Sequence, residues 1–319
     1  MLVSVVIPTH NRPDKLPETL RALAAQNFDD FEIIVVDDGS HPPADLGEYS
    51  QDARFRLLRT PGIERSAARN LGAKNARGEV LVFLDDDITT KPDFLQRHRE
   101  AQREWKNVLA VGGIFLPDQV LETPLGKFRH AIEQNVVPQT RGLVEMKNFC
   151  AAANMSIARA TFEALGGFDE DLRSSEDQDL ALRHTARGGV IAYLPDASVL
   201  HRDGALDIRS YCKRWEWGSE YSIPFAKRYA DFPDVRERER VNSPVNWGRE
   251  SKVQSVRKTI KNILASPPIV TLLFALTNIL EKRAPASPFL PRFYSLLLGA
   301  HILRGYRRGR EKFGAPHLS

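Results

Sequence analysis

The sequence predicts an α/β fold in which a mostly parallel central sheet is flanked by helices. Three runs rich in β-branched residues, at 3–7, 32–36 and 79–84, are separated by helical patterns near 14–26 and 64–77. Short apolar strands that alternate with helices are typical of a parallel sheet, because the helices cover both of its faces. A chain of 319 residues, of which 42% are hydrophobic, is long enough for one large or two modest domains.

Each predicted strand runs into polar residues. The first is followed by 8–12, the second by 37–40 and the third by 85–87. Ligands of parallel sheets bind at the carboxyl ends of the strands, so we expect these three segments to converge on one edge. The first strand is not followed by G-x-G-x-x-G, so a dinucleotide cofactor is not indicated.

The third of these segments, Asp85-Asp86-Asp87, predicts a divalent-cation site. An Asp-x-Asp pair after a strand presents two carboxylates on the same side of an extended backbone. Mg²⁺ or Mn²⁺ held by so few protein ligands keeps coordination sites for substrate phosphates, so the pattern indicates an enzyme that handles a diphosphate. Taken alone, the triplet favours an acidic turn at the end of a strand, and the other two strand ends favour the cation site.

In their order along the chain, these segments resemble the inverting family-two glycosyltransferases, whose GT-A fold is Rossmann-like. The match continues over 68–72, 77–79, 153–156, 166–170 and 176–180. It covers about residues 1–204. The resemblance implies metal-dependent transfer of a sugar from a UDP-, GDP- or dTDP-linked donor to a hydroxyl of a glycan or lipid-linked acceptor, as in bacterial polysaccharide or glycan assembly.

The chain divides into three stretches by role. Residues 1–115 are expected to bind the nucleotide sugar, 116–247 to bind the acceptor and supply the catalytic base, and 248–319 to form a basic, amphipathic helical extension.

Two rival interpretations of the function remain: a sugar nucleotidyltransferase, and a non-catalytic nucleotide-sugar-binding or scaffold protein of polysaccharide assembly.

Asp177 is the implied catalytic base, which removes the proton of the acceptor hydroxyl, and Glu176 positions it or contacts the acceptor. The local pattern also fits an ordinary helix start, because Ser174 and Ser175 precede the two acids and acids favour that position. Both interpretations can hold, since the positive end of a helix is expected to keep the carboxylate ionised.

The predicted metal ligands are Asp87 and Asp85, with His201 as a third. His201 follows the strand-like segment 190–199, and in several GT-A enzymes a histidine at such a strand end completes the metal site. A hydrogen-bonded structural histidine is the alternative. His184 is expected to be solvated.

The nucleotide-sugar contacts are predicted at Pro8, Thr9, Asn11, Arg12, Asp38, Arg69, Asp85 and Asp86. Asp38 can accept a hydrogen bond from a base N–H or a ribose hydroxyl, and Arg69 offers a guanidinium fork to a base or phosphate. The alternatives are that Asp38 caps the turn at 39–40 and that Arg69 forms an ion pair on a helix surface.

Acceptor contacts are predicted at Asp169, Trp215 and Trp217. Indole rings stack on sugar faces and pack equally well in protein cores. Side chains two residues apart on a helix point in different directions, so at most one of the tryptophans is expected to face the acceptor. The other is expected to pack in the core.

Charge is segregated along the chain. Residues 248–319 hold 13 Lys/Arg and 3 Asp/Glu, a net charge of +10, so residues 1–247 carry 32 − 38 = −6. The pattern at 251–264 predicts a basic amphipathic helix that can lie on anionic lipid. Neither of the two apolar runs after it, at 269–280 and 294–303, reaches the ~20 residues that span a bilayer. The same helices could instead pack on the catalytic domain or at a homodimer interface.

The two cysteines, Cys150 and Cys212, are too few for a disulfide framework, and no signal-peptide pattern is found at the N-terminus. We therefore expect a cytoplasmic protein, attached peripherally at the inner face of the cell membrane if 248–319 bind lipid. The acidic body argues against nucleic acid as a partner.

Overall fold

The computed structural model describes residues 1–145, 148–202, 207–248 and 250–316. The chain forms two compact units, Met1–Pro117 with His130–Gly204 and Asp118–Arg129 with Ala205–Ser319. The division by role at residues 115 and 247 stays a prediction.

The described part of the first unit contains one sheet of nine strands. The strands are β1 (Val3–Thr9), β2 (Phe31–Asp38), β3 (Phe55–Thr60), β4 (Val80–Leu84), β5 (Ile88–Thr90), β6 (Val108–Phe115), β7 (Gly142–Val144), β8 (Asn154–Ala158) and β9 (Val190–His201). Their order is β3-β2-β1-β4-β8-β6-β9-β5, and β7 pairs with β9.

Parallel pairing dominates the half of the sheet that carries the predicted site. β3, β2, β1 and β4 are mutually parallel, and β6 is parallel to β9. β8 runs antiparallel to both of its neighbours, as do β5 and β7 to β9. The predicted α/β fold with a mostly parallel sheet is confirmed, and the three predicted strands are β1, β2 and β4.

The helices are α1 (Leu16–Ala24), α2 (Arg65–Lys74), α3 (Phe94–Glu104), α4 (Asp118–Leu121), α5 (Pro124–Glu133), α6 (Arg159–Leu165), α7 (Glu176–Ala186), α8 (Ile208–Tyr221), α9 (Ile223–Arg228), α10 (Pro233–Asn242), α11 (Lys252–Leu264), α12 (Pro267–Arg283) and α13 (Leu290–Phe313). Short 3-10 helices occupy Gly47–Gln51 and Gln134–Val136.

Two apolar cores lie on the two faces of the sheet, because successive side chains of a strand point to opposite sides. Val3, Val5 and Ile7 of β1 belong to the core that also contains the buried side chains of α1 and α3. Val6 belongs to the opposite core, with residues from α2, α6 and α7. Gly72 lets α2 approach the sheet, since a Cβ there would lie 2.4 Å from Cγ1 of Val6.

The second unit is helical, as expected for the C-terminal extension. α13 packs closely on α8 through Gly305 and Gly309. A Cβ at Gly305 would lie 2.0 Å from the carbonyl oxygen of Glu216, and one at Gly309 would lie 2.3 Å from that of Glu220. The two glycines, four residues apart on one face of α13, therefore allow the two helix backbones to approach each other.

Candidate active site

The carboxyl ends of β1, β2 and β4 meet at one edge of the sheet, as expected. The Thr9 hydroxyl, at the end of β1, donates a hydrogen bond to Oδ2 of Asp86 at 2.6 Å. The backbone N–H of Asn11 donates to Oγ of Ser40 at 2.9 Å, and Oδ1 of Asn11 accepts from His41 N–H at 2.7 Å. Asn11 therefore connects the loops after β1 and β2.

Asp85, Asp87 and His201 form a cluster that fits a divalent cation. One potential ligand atom from each residue lies within 4.8 Å of those of the other two. The antiparallel register of β5 and β9 pairs His201 with Ile88, next to the acids. Oδ1 of Asp87 is buried and lies 3.0 Å from Nε2 of His201. Two carboxylates and an imidazole are suitable ligands for Mn²⁺.

Arg12 approaches the same acids from the loop after β1. Its Nη1 lies 2.5 Å from Oδ2 of Asp87 and 3.3 Å from Oδ1 of Asp86. Burial alone would raise the pKa of Asp87, but His201 and Arg12 lower it below its ordinary value. Burial dominates at Asp86 and raises its pKa to about 6, although Thr9 and Arg12 act in the opposite direction. Adjacent acids therefore have different proton affinities.

Thr19, which the sequence analysis did not identify, holds the backbone of the acidic segment in place. Its hydroxyl donates to the carbonyl oxygen of Asp86 at 2.7 Å and accepts from the N–H of Ile88 at 3.1 Å. The N–H of Arg202 donates to the carbonyl oxygen of Asp87 at 2.9 Å. The available signal was a hydroxyl within the apolar stripe of α1, among Leu16, Leu20 and Leu23.

Arg69, on α2, contacts acids from two distant segments. Its Nη2 lies 2.7 Å from Oδ1 of Asp85, and its Nη1 lies 3.0 Å from Oε1 of Glu176. Only 2% of Arg69 is exposed, so the alternative of an ion pair on the helix surface is wrong. Arg65, which the sequence analysis did not identify, also lies 3.2 Å from Oε1 of Glu176. Burial opposes ionisation of Asp85, but the two guanidinium groups outweigh it and lower its pKa to about 2.

Asp177 lies in the first turn of α7, directly after Glu176. Its Oδ1 accepts a hydrogen bond from the N–H of Gln178 at 2.8 Å, and the residue is partly exposed. Loss of hydration, together with the neighbouring charge of Glu176, raises the pKa of Asp177 to about 7. The helix start therefore does not hold the pKa of this carboxylate at its ordinary value, because enclosure beside a second acid outweighs the helix dipole, and the group is only partly ionised at neutral pH.

Asp38 organises the loop after β3. Its Oδ1 accepts hydrogen bonds from the Thr60 hydroxyl and the Ile63 N–H, both at 2.6 Å, and its Oδ2 accepts from Glu64 N–H at 3.0 Å. The turn at 39–40 is capped instead by Asp37, whose Oδ1 accepts from Ser40 N–H at 3.0 Å. The capping role considered for Asp38 is therefore wrong, while its contact with a nucleotide stays a prediction.

The three predicted acceptor residues lie in two separate segments. Oδ1 of Asp169 accepts from the N–H of Asp171 at 2.9 Å in the turn between α6 and α7. Trp215 and Trp217 lie on α8 and are 38% and 41% exposed. The expectation that one of them is a core residue is wrong, because both indoles are exposed. Acceptor binding by these residues stays a prediction.

The expectation that His184 is solvated is also wrong. The residue is 1% exposed, on the inner side of α7. Its Nε2 lies 3.1 Å from the carbonyl oxygen of Asn107 and 3.2 Å from that of Val190. It therefore has a structural role at the opposite end of β9 from His201.

Comparisons with known proteins point to one family. Residues 4–142 match the model of the family described as glycosyl transferase family 2. The chain is 30% identical over 232 residues to the validoxylamine A glucosyltransferase of Streptomyces hygroscopicus subsp. jinggangensis, covering 59% of this chain and 52% of that protein. It is 28% identical over 189 residues to the glucosyl-dolichyl phosphate glucuronosyltransferase of Haloferax volcanii, covering 56% and 59%. The matches span about half to three fifths of the length of such curated relatives.

A solved structure shares the fold. The mannosyltransferase PcManGT from Pyrobaculum calidifontis, in complex with GDP-Man and Mn²⁺, superposes with a TM-score of 0.59 and 18% identity. The superposition covers 96% of this chain and 87% of that one. At this identity the similarity shows the fold alone, and the expected GT-A architecture is confirmed.

Proposed function

We propose that this chain, whose residues 4–142 resemble family-two glycosyltransferases as the sequence predicted, is a metal-dependent, inverting glycosyltransferase. The donor is a nucleoside diphosphate sugar, and the acceptor is a hydroxyl of a glycan or a lipid-linked saccharide.

The observation that carries the proposal is the position of Arg69. One buried guanidinium contacts Asp85, in the acidic segment after β4, and Glu176, at the start of α7. A candidate cation-binding acid and the residue next to the candidate base, Asp177, therefore contact the same side chain. A glycosyltransferase needs this proximity, because the leaving diphosphate and the attacking hydroxyl act on the same anomeric carbon.

Asp177 has the properties required of the general base. Glu176 is already paired with two guanidinium groups, whereas the Asp177 carboxylate receives only the N–H of Gln178 among the hydrogen bonds of described residues. A base with a pKa near the working pH is effective at accepting a proton and is still substantially ionised. We assign Asp177 to deprotonation of the acceptor hydroxyl and Glu176 to its positioning.

Asp85, Asp87 and His201 would hold the divalent cation, and Mn²⁺ or Mg²⁺ bound there would neutralise charge on the departing diphosphate. Arg12 supplies a second positive charge beside Asp87. Thr9 and Thr19 keep the acidic segment in position through its side chain and its backbone.

The names of two relatives favour a hexose-type donor. Two of them are named as a glucosyltransferase and a glucuronosyltransferase. The second is named for a glucosyl-dolichyl phosphate, which is a lipid-linked sugar. A lipid-linked acceptor is therefore our first choice for this chain.

The test compares Asp177→Asn with a matched control, Asp171→Asn, which alters an exposed acid in the turn before α7. Acceptor-dependent release of nucleoside diphosphate should fall about 10²–10⁴-fold in Asp177→Asn and stay unchanged in the control. Donor binding, followed by thermal shift, should persist in both variants.

EDTA should abolish transfer and added Mn²⁺ should restore it. Undiminished transfer by Asp177→Asn would refute the base assignment, and transfer insensitive to EDTA would refute the metal assignment. A nucleotidyltransferase would instead release pyrophosphate from a nucleoside triphosphate and a sugar phosphate, and a scaffold protein would release neither product.

A further inference from the structure

α11 exposes its apolar stripe. Val253, Val256, Ile260 and Ile263 recur at intervals of three and four residues, and each is between 47% and 61% exposed. The opposite face is polar and yet buried, with Lys258 only 5% exposed. Amphipathic helices of globular proteins bury the apolar stripe and solvate the polar one, so α11 has the reverse orientation.

Specific contacts hold the polar face of α11 inward. Nζ of Lys258 lies 2.5 Å from Oε1 of Glu250 and donates to Oγ of Ser243 at 2.8 Å. Nζ of Lys261 donates to Oδ1 of Asn242 at 2.6 Å. These contacts define the rotation of the helix about its axis, so the outward direction of the apolar stripe is built into the second unit.

α12 and the start of α13 extend the exposed apolar area. α12 buries one apolar stripe within the second unit and exposes another, formed by Leu272, Leu276 and Ile279. Phe289 and Leu296 are exposed as well. Of the fifteen large apolar side chains exposed in the described ranges, nine lie between 253 and 296. Such a concentration marks an interaction surface rather than the scattered exposure of ordinary soluble domains.

The same segment is strongly basic. Residues 251–296 contain seven Lys/Arg and one Asp/Glu, a net charge of +6. Five of the cations are exposed: Lys252, Arg257, Lys282, Arg283 and Arg292. The single acid, Glu281, accepts a hydrogen bond from the hydroxyl of Tyr294 at 2.6 Å. The surface therefore combines apolar side chains with uncompensated positive charge.

We propose that α11, α12 and the start of α13 form a docking surface for an anionic lipid bilayer, with the apolar side chains inserted among the lipids and the cations at the headgroups. The nine exposed apolar residues and five exposed cations define this lipid-docking surface. The inference is independent of sugar transfer, because none of these residues belongs to the candidate active site.

The helices lie on the bilayer rather than cross it. No single helix in the described ranges is long and apolar enough to span a membrane. Among the helices of the described residues, α11 and α12 taken together meet the requirements of length and composition, and they are bent by 69° at their junction. Short basic amphipathic helices of this kind bind in the plane of the interface, where apolar burial and attraction to anionic lipid act together.

Charge favours lipid over a second copy of the chain. A symmetric dimer through this surface would place the same patch on both sides, so its cations would face one another. An anionic bilayer complements both the apolar side chains and the cations. We therefore assign the surface to lipid and treat dimerisation as an outcome of the test.

The test is flotation of the full-length protein with vesicles of phosphatidylcholine, with and without phosphatidylglycerol. The wild-type protein should bind only the anionic vesicles, and high salt should weaken binding. Val256→Asp with Ile260→Asp, on α11, and Leu272→Asp with Leu276→Asp, on α12, should each reduce partitioning by about tenfold or more. Lys252→Glu with Arg257→Glu should weaken the preference for phosphatidylglycerol.

The matched control is Leu143→Asp, since Leu143 is an equally exposed apolar residue outside the surface. It should bind vesicles like the wild type, and circular dichroism at the assay temperature should show that every variant is folded. Absence of binding to anionic vesicles would overturn the proposal, as would wild-type binding by either pair of Asp variants. A dimer in solution that the α11 variant dissociates, without vesicle binding, would assign the surface to self-association instead.

Discussion

Arg69 is buried, and it contacts two acids that lie about ninety residues apart in the sequence. Asp85 and Glu176 each contact one of its terminal nitrogens, so the guanidinium fork serves both acids at once. A lysine is a point charge on a flexible stem and cannot reproduce this geometry. The residue is therefore both a structural link and part of the charge balance of the site.

Arg69→Met should destabilise the protein by about 3–5 kcal/mol, because it leaves a buried acid without its partner. Arg65→Met is the matched control: Arg65 contacts the same oxygen of Glu176, but its side chain is 48% exposed. It should cost no more than about 1 kcal/mol. Urea unfolding of both variants measures the difference, and equal losses would contradict the bridging role of Arg69.

The raised pKa of Asp177 predicts the pH dependence of transfer. The carboxylate accepts a proton only when it is ionised, so a pKa of about 7 implies that kcat/KM falls as the pH drops through neutrality. Well below the pKa, the rate should decrease about tenfold per pH unit. Above the pKa it should level off.

Glu176→Gln tests the cause of the raised pKa of Asp177, since the charge of Glu176 contributes to it. The acidic limb of the rate profile should move to lower pH in this variant, even if the maximal rate also falls. An acidic limb already near pH 4 in the wild-type protein would show that the enclosure of Asp177 does not affect catalysis.

Among the elements, α13 depends on two glycines where it crosses α8. A Cβ at Gly305 would meet a backbone carbonyl, which cannot move aside as a side-chain end can. Gly299 lies in the same helix, but nothing would lie within 4 Å of its Cβ. A substitution at Gly305 therefore tests the packing of α13 on α8, and one at Gly299 tests only the intrinsic cost of glycine in a helix.

Gly305→Ala should destabilise the protein by about 1–3 kcal/mol through overpacking against α8. Gly299→Ala should instead stabilise it by roughly 0.5–1 kcal/mol, because glycine is a poor residue in a helix interior. Chemical denaturation followed by circular dichroism checks both signs. A stabilising Gly305→Ala substitution would mean that α8 and α13 are not packed as closely as described.

At the scale of the whole molecule, the acidic residues of the site and the basic residues of the C-terminal region belong to different compact units. The first unit contains the sheet, the cation-binding cluster and the candidate base. The second contains the lipid-docking surface. Variants in one unit can therefore be assayed for their effect on the activity assigned to the other.

Binding of Mn²⁺ should raise the stability of the folded protein, because the ligands come from two strand regions that unfolding separates. At a concentration one hundred times Kd the gain should be about 2.7 kcal/mol. Asp87→Asn should abolish this metal-dependent shift in Tm, and Asp171→Asn should retain it. A shift that survives in Asp87→Asn would place the cation elsewhere. The same assay with a panel of nucleotide sugars would identify the donor.

The strand ends illustrate what could be predicted. The runs leading to Asp38 and Asp85 are continuous and apolar, so both strands and their polar ends were readable from local pattern. β3 was not predicted, because its charged residues, Arg56 and Arg59, interrupt the apolar run of an edge strand. Thr19 and Arg65 were not recognised either, since each matters only through a residue that folding brings next to it.

The sequence by itself determined the α/β class, the acidic segment after β4, the resemblance to family-two glycosyltransferases and the basic amphipathic pattern of α11. These are local properties, because periodicity, composition and motif order can be read along the chain. Only the tertiary structure decided that Arg69 links Asp85 with Glu176, that enclosure raises the pKa of Asp177, and that α11 directs its apolar stripe outward. Those features depend on which distant segments pack together and how each helix is rotated, and local pattern carries neither.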